Sequence, residues 1–309
     1  MERPVWVFDT GDFLPAIPDT ERSEYIIRAM QMVGYDAISV GDQEFLAGRD
    51  YFDYVFPTKQ KLDSLYQEYL KKHQGYWIEF QFSGYGKFPE ELKKSPSKIV
   101  FPRNIIYSDT NLCVFDFTFT RVFRSISGSQ RAIILKGVID PRAFLFFPEE
   151  HRQWFAVEPW EDYLENDLSA RGLKVLLSHS GLMTDKEIAA EFPHIDIIIG
   201  GHSQHEMHEA VTVGETIIVQ AGGSGRFVGR LDLKFTDNGD EVADYLYSLA
   251  PMTAEIPSDT AILAIIEEYE HAFFKDKKAR PHITRYADSL DVLEPETCME
   301  CHQEQYDQW

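Results

Sequence analysis

Four short apolar runs in this chain end in the same chemistry, and that repetition limits what the chain can become. Val5–Phe8 runs into Asp9-Thr10-Gly11-Asp12, and Ala37–Val40 into Gly41-Asp42-Gln43-Glu44-Phe45. Lys174–Leu177 runs into Ser178-His179-Ser180-Gly181, and Ile195–Ile199 into Gly200-Gly201-His202-Ser203-Gln204. Apolar runs of this length beside turn residues read as buried strands. Glycine after a strand lets the backbone turn sharply and approach an ion closely. Open α/β sheets bind their ligands at the carboxyl ends of strands. Carboxylates with imidazoles suit Zn, Fe, Mn or Co rather than Ca. One Asp beside a Gly is ordinarily a turn residue. Four such endings in order favour a metal site.

Helical patterns lie between the strands. Glu21–Val33 places Ile26, Ala29, Met30 and Val33 on one face. Lys61–Lys72, Asp185–Phe192 and Ala261–Phe274 also read as helices, and Leu112–Arg124 and Ala132–Ile139 as β-like runs. Thr216–Gln220 and Phe227–Phe235 read as a strand pair joined through Ala221–Gly225. Strands alternating with helices predict an α/β fold, and the hairpin-like portions predict a sheet that is not purely parallel.

Charge narrows the partners. With 30 Lys+Arg against 51 Asp+Glu, the net charge of −21 opposes nucleic acid and anionic membrane surfaces. No apolar run approaches the ~18–20 residues of a transmembrane helix. The opening Met1–Phe8 lacks the pattern of a signal peptide.

The four endings, Val33-Gly34-Tyr35-Asp36-Ala37, and Gln220-Ala221-Gly222 with Gly229-Arg230-Leu231-Asp232-Leu233 together resemble the calcineurin-like metallophosphoesterase superfamily, in its bacterial 5′-nucleotidase-like branch. The resemblance spans roughly Val5 to Phe235. It implies a four-layer α/β/β/α sandwich with two divalent transition metals (Mn, Fe, Zn or Co) that clamp a phosphoryl group. By position, Asp12 would bridge both metals. Asp42, in the place of the family's usual Asn, would serve the second metal with His179 and His202. Gln204 would bind the first.

Two departures modify these expectations. The family's opening Asp-x-His motif has no counterpart before Asp12, so the sandwich is expected to lack its first strand here through N-terminal truncation. The family's catalytic His is Gln43 here, and its Asp partner is Leu46. Glutamine can hydrogen-bond an oxygen but cannot protonate a leaving group, so the catalytic group stays unassigned. Thiosulfohydrolases of bacterial sulfur oxidation also depart at this motif while keeping Glu-Phe, as Glu44-Phe45 do. A sulfur-ester hydrolase and a degenerate scaffold domain are therefore the alternatives.

Near the C-terminus, Cys298-Met299-Glu300-Cys301-His302 matches the attachment motif for covalent c-type haem. The two thiols would bond the haem vinyls and His302 would ligate iron. A thioredoxin-like pair would come after a strand, and none is clear before Cys298. A zinc site would need further ligands. The terminal segment Gln303–Trp309 resembles a multihaem cytochrome interrupted at its end. The expected organisation is a metallophosphoesterase-like domain over 1–250, a helical linker over 251–290 and the start of a haem-binding tail over 291–309. Haem attachment implies a periplasmic or other extracytoplasmic location and a redox protein partner, beside a small phosphorylated or sulfur-ester substrate. Other candidates read more simply. His205 and His208 are expected to be exposed, Phe144–Pro148 to be core or a domain contact, and Cys113 to be a buried hydrophobe, with no assignment for Asn104 or Ser108.

Overall fold

A computed structural model describes residues 5–55, 99–100, 105–107, 118–124, 130–145, 147, 152–153, 155–157, 159–164, 172–236 and 241–276. The Lys61–Lys72 helix, Asn104, Ser108, Cys113, and the haem motif of Cys298, Cys301 and His302 lie outside the described residues. The chain divides into two units, Met1–Ser258 and Asp259–Trp309.

The strands of the first unit are β1 (Phe8–Asp9), β2 (Ala37–Ser39), β3 (Ile99–Val100), β4 (Ile105–Tyr107), β5 (Thr118–Arg124), β6 (Gln130–Ile139) and β7 (Phe155–Val157). They continue with β8 (Leu173–His179), β9 (Ile197–Gly200), β10 (Val211–Val213), β11 (Thr216–Val219), β12 (Phe227–Phe235) and β13 (Val242–Pro251). A six-stranded sheet runs β10-β11-β9-β8-β6-β5. Its inner pairs are parallel, and both outer pairs are antiparallel. A second, parallel sheet runs β1-β2-β3. This is the mixed α/β arrangement expected from the alternating pattern.

Burial explains the central strands. Along β8, Leu173, Val175, Leu176 and Leu177 are all buried, the continuous apolar run that a parallel strand covered on both faces needs. Leu135, Leu177 and Ile217 belong to a core on one side, and Val138, Leu176, Ile198 and Ile218 to a core on the other. Burying each such side chain contributes roughly 1.5–3 kcal/mol. A third core is aromatic. Phe45 stacks on Phe52 at 4.7 Å and meets Phe144 edge-on at 5.5 Å. Phe147 joins it, so Phe144 and Phe147 are core as expected, while Leu145 between them is exposed and Phe146 lies outside the described residues.

The helix Thr20–Val33 starts where the Asp19 side chain accepts a hydrogen bond from the Arg22 amide at 3.0 Å. It stops at Gly34, whose φ of +76° is left-handed. The helix Leu182–Glu191 comes directly after β8.

One expected pairing is corrected. Thr216–Gln220 and Phe227–Phe235 do not pair with each other. β11 lies between β9 and β10, while β12 pairs antiparallel with β13. Gly222 and Gly225, at φ of +80° and +64°, turn the chain out of the first sheet between them. The β12–β13 ribbon turns Leu231, Leu233, Phe235 and Tyr247 toward the core and carries the Arg230–Asp232 ion pair on its exposed face.

In the second unit, Asp259 accepts hydrogen bonds from the Ala261 and Ile262 amides at 2.8 and 3.2 Å and caps the helix Thr260–Asp276. No helix among the described residues is long and apolar enough to cross a membrane.

Candidate metal centre

The strand ends bring four of the sequence-predicted ligands together. Asp12 lies just past β1, Asp42 just past β2, His179 ends β8 and His202 lies just past β9. One donor atom from each lies within 4.8 Å of the other three. His179 Nε2 is 3.2 Å from Asp12 Oδ2 and 3.1 Å from Asp42 Oδ1, and His202 Nδ1 is 3.2 Å from Asp42 Oδ1.

The local backbone explains how they converge. Gly11 takes a φ of +97°, and its amide donates to Asp9 Oδ1 at 2.9 Å. Asp12 and His202 are themselves left-handed, at φ of +61° and +63°. Such conformations in residues other than glycine cost energy and concentrate at functional sites. Gly41 leaves room for the cluster. A Cβ there would meet the Asp12 carboxylate and lie 2.6 Å from His179 Cε1.

A buried carboxylate holds both acidic loops. Glu44 is fully buried and accepts hydrogen bonds from the amides of Asp12 at 3.0 Å, Leu14 at 3.0 Å and Gly41 at 2.7 Å. Burial, with the Asp12 charge, pushes its carboxyl above the ordinary range, and the three amides pull it back toward the ionised form. In the sequence alone, Glu44 is only one letter of a surviving motif.

His179 has a defined tautomer. Its Nδ1 is 2.7 Å from the Thr10 carbonyl, which can only accept, so Nδ1 carries the proton and Nε2 faces the carboxylates. In the metal-free protein, burial would lower this imidazole, but Asp12 and Asp42 overcome it and raise it to about 10. Asp42 responds reciprocally. Burial would raise it, but the two histidines hold it down at about 2. The cluster thus concentrates negative charge on a position that accepts positive charge. Two carboxylates and two imidazoles, one bearing a fixed tautomer, fit a divalent transition metal.

Gln43 lies beside this cluster. Its amide donates to Asp12 Oδ1 at 3.0 Å, and its side-chain Nε2 donates to Asp12 Oδ2 at 3.1 Å. Leu46 packs against the aromatic core. Gln204, at φ of +50°, lays its side chain over Gly223, where a Cβ would come within 2.7 Å of its Oε1. His205 and His208 are exposed.

No protein-family profile matches the chain. The uncharacterized metallophosphoesterase YunD of Bacillus subtilis is 29% identical over 83 residues, covering 26% of this chain and 18% of that protein. The 5′-nucleotidase of Mus musculus is 28% identical over 113 residues, covering 31% of this chain and 19% of that protein. The match thus spans less than a fifth of either relative's length. Among solved structures, sulfate thiohydrolase SoxB from Thermus thermophilus superposes with a TM-score of 0.62 at 20% identity, covering 85% of this chain and 42% of that one. A 5′-nucleotidase precursor from Thermus thermophilus gives 0.61 at 19% identity, covering 87% and 50%. The calcineurin-like phosphoesterase YfkN from Bacillus subtilis gives 0.59 at 14% identity, covering 86% and 83%. The chain shares the mixed α/β fold of calcineurin-like phosphoesterase structures, and parts of it are similar in sequence to a metallophosphoesterase and a 5′-nucleotidase.

Proposed function

We propose that the first unit is a metal-dependent phosphoesterase domain of the 5′-nucleotidase-like kind, arranged as an α/β/β/α sandwich. The convergence of Asp12, Asp42, His179 and His202 carries this reading. Asp12 would be shared between two divalent ions, with Asp42, His179 and His202 serving one and Gln204 the other. When bound, such ions supply Lewis acidity to a phosphoryl oxygen and activate water for in-line attack. The chain's own residues do the positioning. The Thr10 carbonyl fixes the His179 ring, Glu44 ties the Asp12 and Asp42 loops together, and Gln43 offers an uncharged donor at Asp12. Metal analysis and turnover of p-nitrophenyl phosphate and a nucleoside monophosphate test the proposal. Turnover that tracks metal content supports it, and bound metal without turnover overturns it. A chain that binds no metal is a scaffold.

A second reading is sulfur-ester hydrolysis. Gln43 favours it, because an amide in place of a titratable acid suits a leaving group that needs no proton. The likeness to SoxB supports it at the level of fold. Turnover of a thiosulfonate ester without turnover of phosphate monoesters would select it.

We further propose that Cys298, Cys301 and His302 hold a covalent c-type haem, that the full protein works outside the cytoplasm, and that it exchanges electrons with a redox protein. A Soret band after expression with haem-attachment machinery would support this. Its absence under those conditions would overturn it.

A further inference from the structure

Behind the His202 loop runs a chain of hydrogen bonds that touches no predicted ligand directly. Asp185, in the first turn of the helix Leu182–Glu191, is fully buried, and Gln220, just beyond β11, is nearly so. Gln220 Nε2 donates to Asp185 Oδ2 at 3.1 Å. This contact orients the Gln220 amide, because only its nitrogen can donate to the carboxylate. The opposite end, Oε1, then accepts from Ser203 Oγ at 2.9 Å and from the His205 amide at 3.2 Å. Ser203 Oγ in turn accepts from the Leu182 amide at 3.2 Å. The backbone is shaped to admit this chain. A Cβ at Gly200 would meet the Asp185 carboxylate and lie 2.5 Å from Gln220 Nε2.

The clamped loop is under strain. His202 and Gln204 flank Ser203 with φ of +63° and +50°. Conformations of this kind persist only where surrounding structure over-determines them. Gln220 grips the loop at Ser203 and His205, on both sides of Gln204 and one residue from His202.

We propose that Asp185, Gln220 and Ser203 form a positioning relay that holds the strained His202 loop in the conformation that aims His202 at Asp42. The inference rests on the metal-site reading under the proposed function. Gln220 acts through His202, not on substrate, and Asp185 acts by setting which end of the Gln220 amide faces the loop.

Cobalt(II) titration of the full chain, monitored by its ligand-field absorption, tests the relay. Gln220→Met removes both ends of the amide and should weaken cobalt binding about tenfold, the scale of lost outer-shell support. Gln220→Glu keeps an acceptor facing Ser203 and His205, with one proton shared between the new carboxyl and Asp185 across the 3.1 Å contact in place of the amide hydrogen bond, and should stay within about threefold of the parent. In a background that lacks both ligands of this loop, His202→Ala with Gln204→Ala, Gln220→Met should cost nothing further, since the relay then has no ligand to aim. Parent-like affinity in a folded Gln220→Met chain would overturn the relay. So would an equal loss from Gln220→Glu, or an undiminished effect in the background that lacks both His202 and Gln204. Should Gln220→Met fail to fold, Ser203→Ala decides. This exposed change removes one grip and should weaken binding about threefold, and unchanged affinity overturns the proposal. A parent chain that takes up no cobalt overturns the metal-site reading itself.

Discussion

His179 Nδ1 lies 2.7 Å from the carbonyl oxygen of Thr10, so the backbone after one strand sets the ring at the end of another. Gly201 passes just behind this contact. A Cβ at Gly201 would come within 2.6 Å of Thr10 Oγ1 and 3.2 Å of His179 Nδ1. Gly201→Ala should therefore push Thr10 and His179 apart and weaken metal affinity by ~10–100-fold, as for other losses of ligand orientation. Isothermal titration with Mn²⁺ or Co²⁺ measures this, and an unchanged affinity would remove Thr10 from the role given to it.

His202 is the most exposed of the four converging ligands, at 37% for its side chain against 1% for His179. That exposure makes it the ligand whose removal least disturbs the core. His202→Ala should leave the melting temperature of the metal-free chain nearly unchanged, within the roughly ±0.5 kcal/mol usual for surface changes. Metal-dependent turnover should be abolished. Parallel thermal melts and phosphatase assays read the two effects separately. Full turnover in the variant would remove His202 from the centre.

Gln43 donates to Asp12 from both its backbone and its side chain. A histidine there could hand a proton to a departing oxygen, an advantage worth ~10²–10⁴ in rate where the leaving group is poor. Gln43→His should therefore raise turnover of an alkyl phosphate far more than that of p-nitrophenyl phosphate, whose leaving group departs without help. The ratio of the two kcat/KM values is the measurement. A uniform change for both substrates would place Gln43 away from the leaving group.

The convergence of the four donor residues is legible in the sequence because its chemistry is written in residue types at strand ends. Asp12, Asp42, His179 and His202 are each a ligand-type residue placed beside or near glycine after an apolar run. What orients them is not legible there. The Thr10 contact uses a backbone carbonyl, which every residue possesses. Gln220 and Asp185 meet across 35 positions of sequence, and nothing in either local pattern announces the other. The ribbon strand β13 escapes the pattern for a different reason. Asp244, Tyr245 and Leu246 are all exposed within it, so the alternation that marks a half-buried strand is blurred. Without that partner in view, Phe227–Phe235 reads as the mate of its neighbour in sequence.

Glu44 presents both carboxylate oxygens to amide donors, Oε1 to Leu14 and Oε2 to Asp12 and Gly41. Glu44→Gln keeps the shape but turns an NH₂ group toward at least one of those amides. One buried donor is then left facing another donor, a loss of about 1–3 kcal/mol. Urea denaturation of the metal-free chain should show the midpoint falling with the slope unchanged. Metal affinity should fall too, because the loops of Asp12 and Asp42 share this anchor. A variant as stable as the parent would show that the three amides find other partners.

Asp140 closes the strand that pairs with β8, and it is nearly buried while its partner Arg142 stays largely exposed. Arg142 Nη2 reaches both the Asp140 carboxylate at 2.6 Å and Thr184 Oγ1 at 2.7 Å, and Thr184 Oγ1 donates to Asp140 at 2.9 Å. Burial alone would raise the Asp140 carboxyl. Hydrogen bonds from the Arg142 side chain and amide and from Thr184, with the guanidinium charge, overcome it and hold the carboxyl below its ordinary value. The folded chain therefore binds this proton less readily than the unfolded chain does. The resulting stability is present above the unfolded value near about 4 and is lost as pH falls through the lower, folded value. Solvent around Arg142 limits its size to about 1 kcal/mol. Asp140→Asn removes the titrating group, so the parent should be the more stable at neutral pH, with the gap closing as the medium is acidified below about pH 4. Thermal melts of both chains across that range measure it, and a gap that does not narrow in acid would exclude Asp140 as its source.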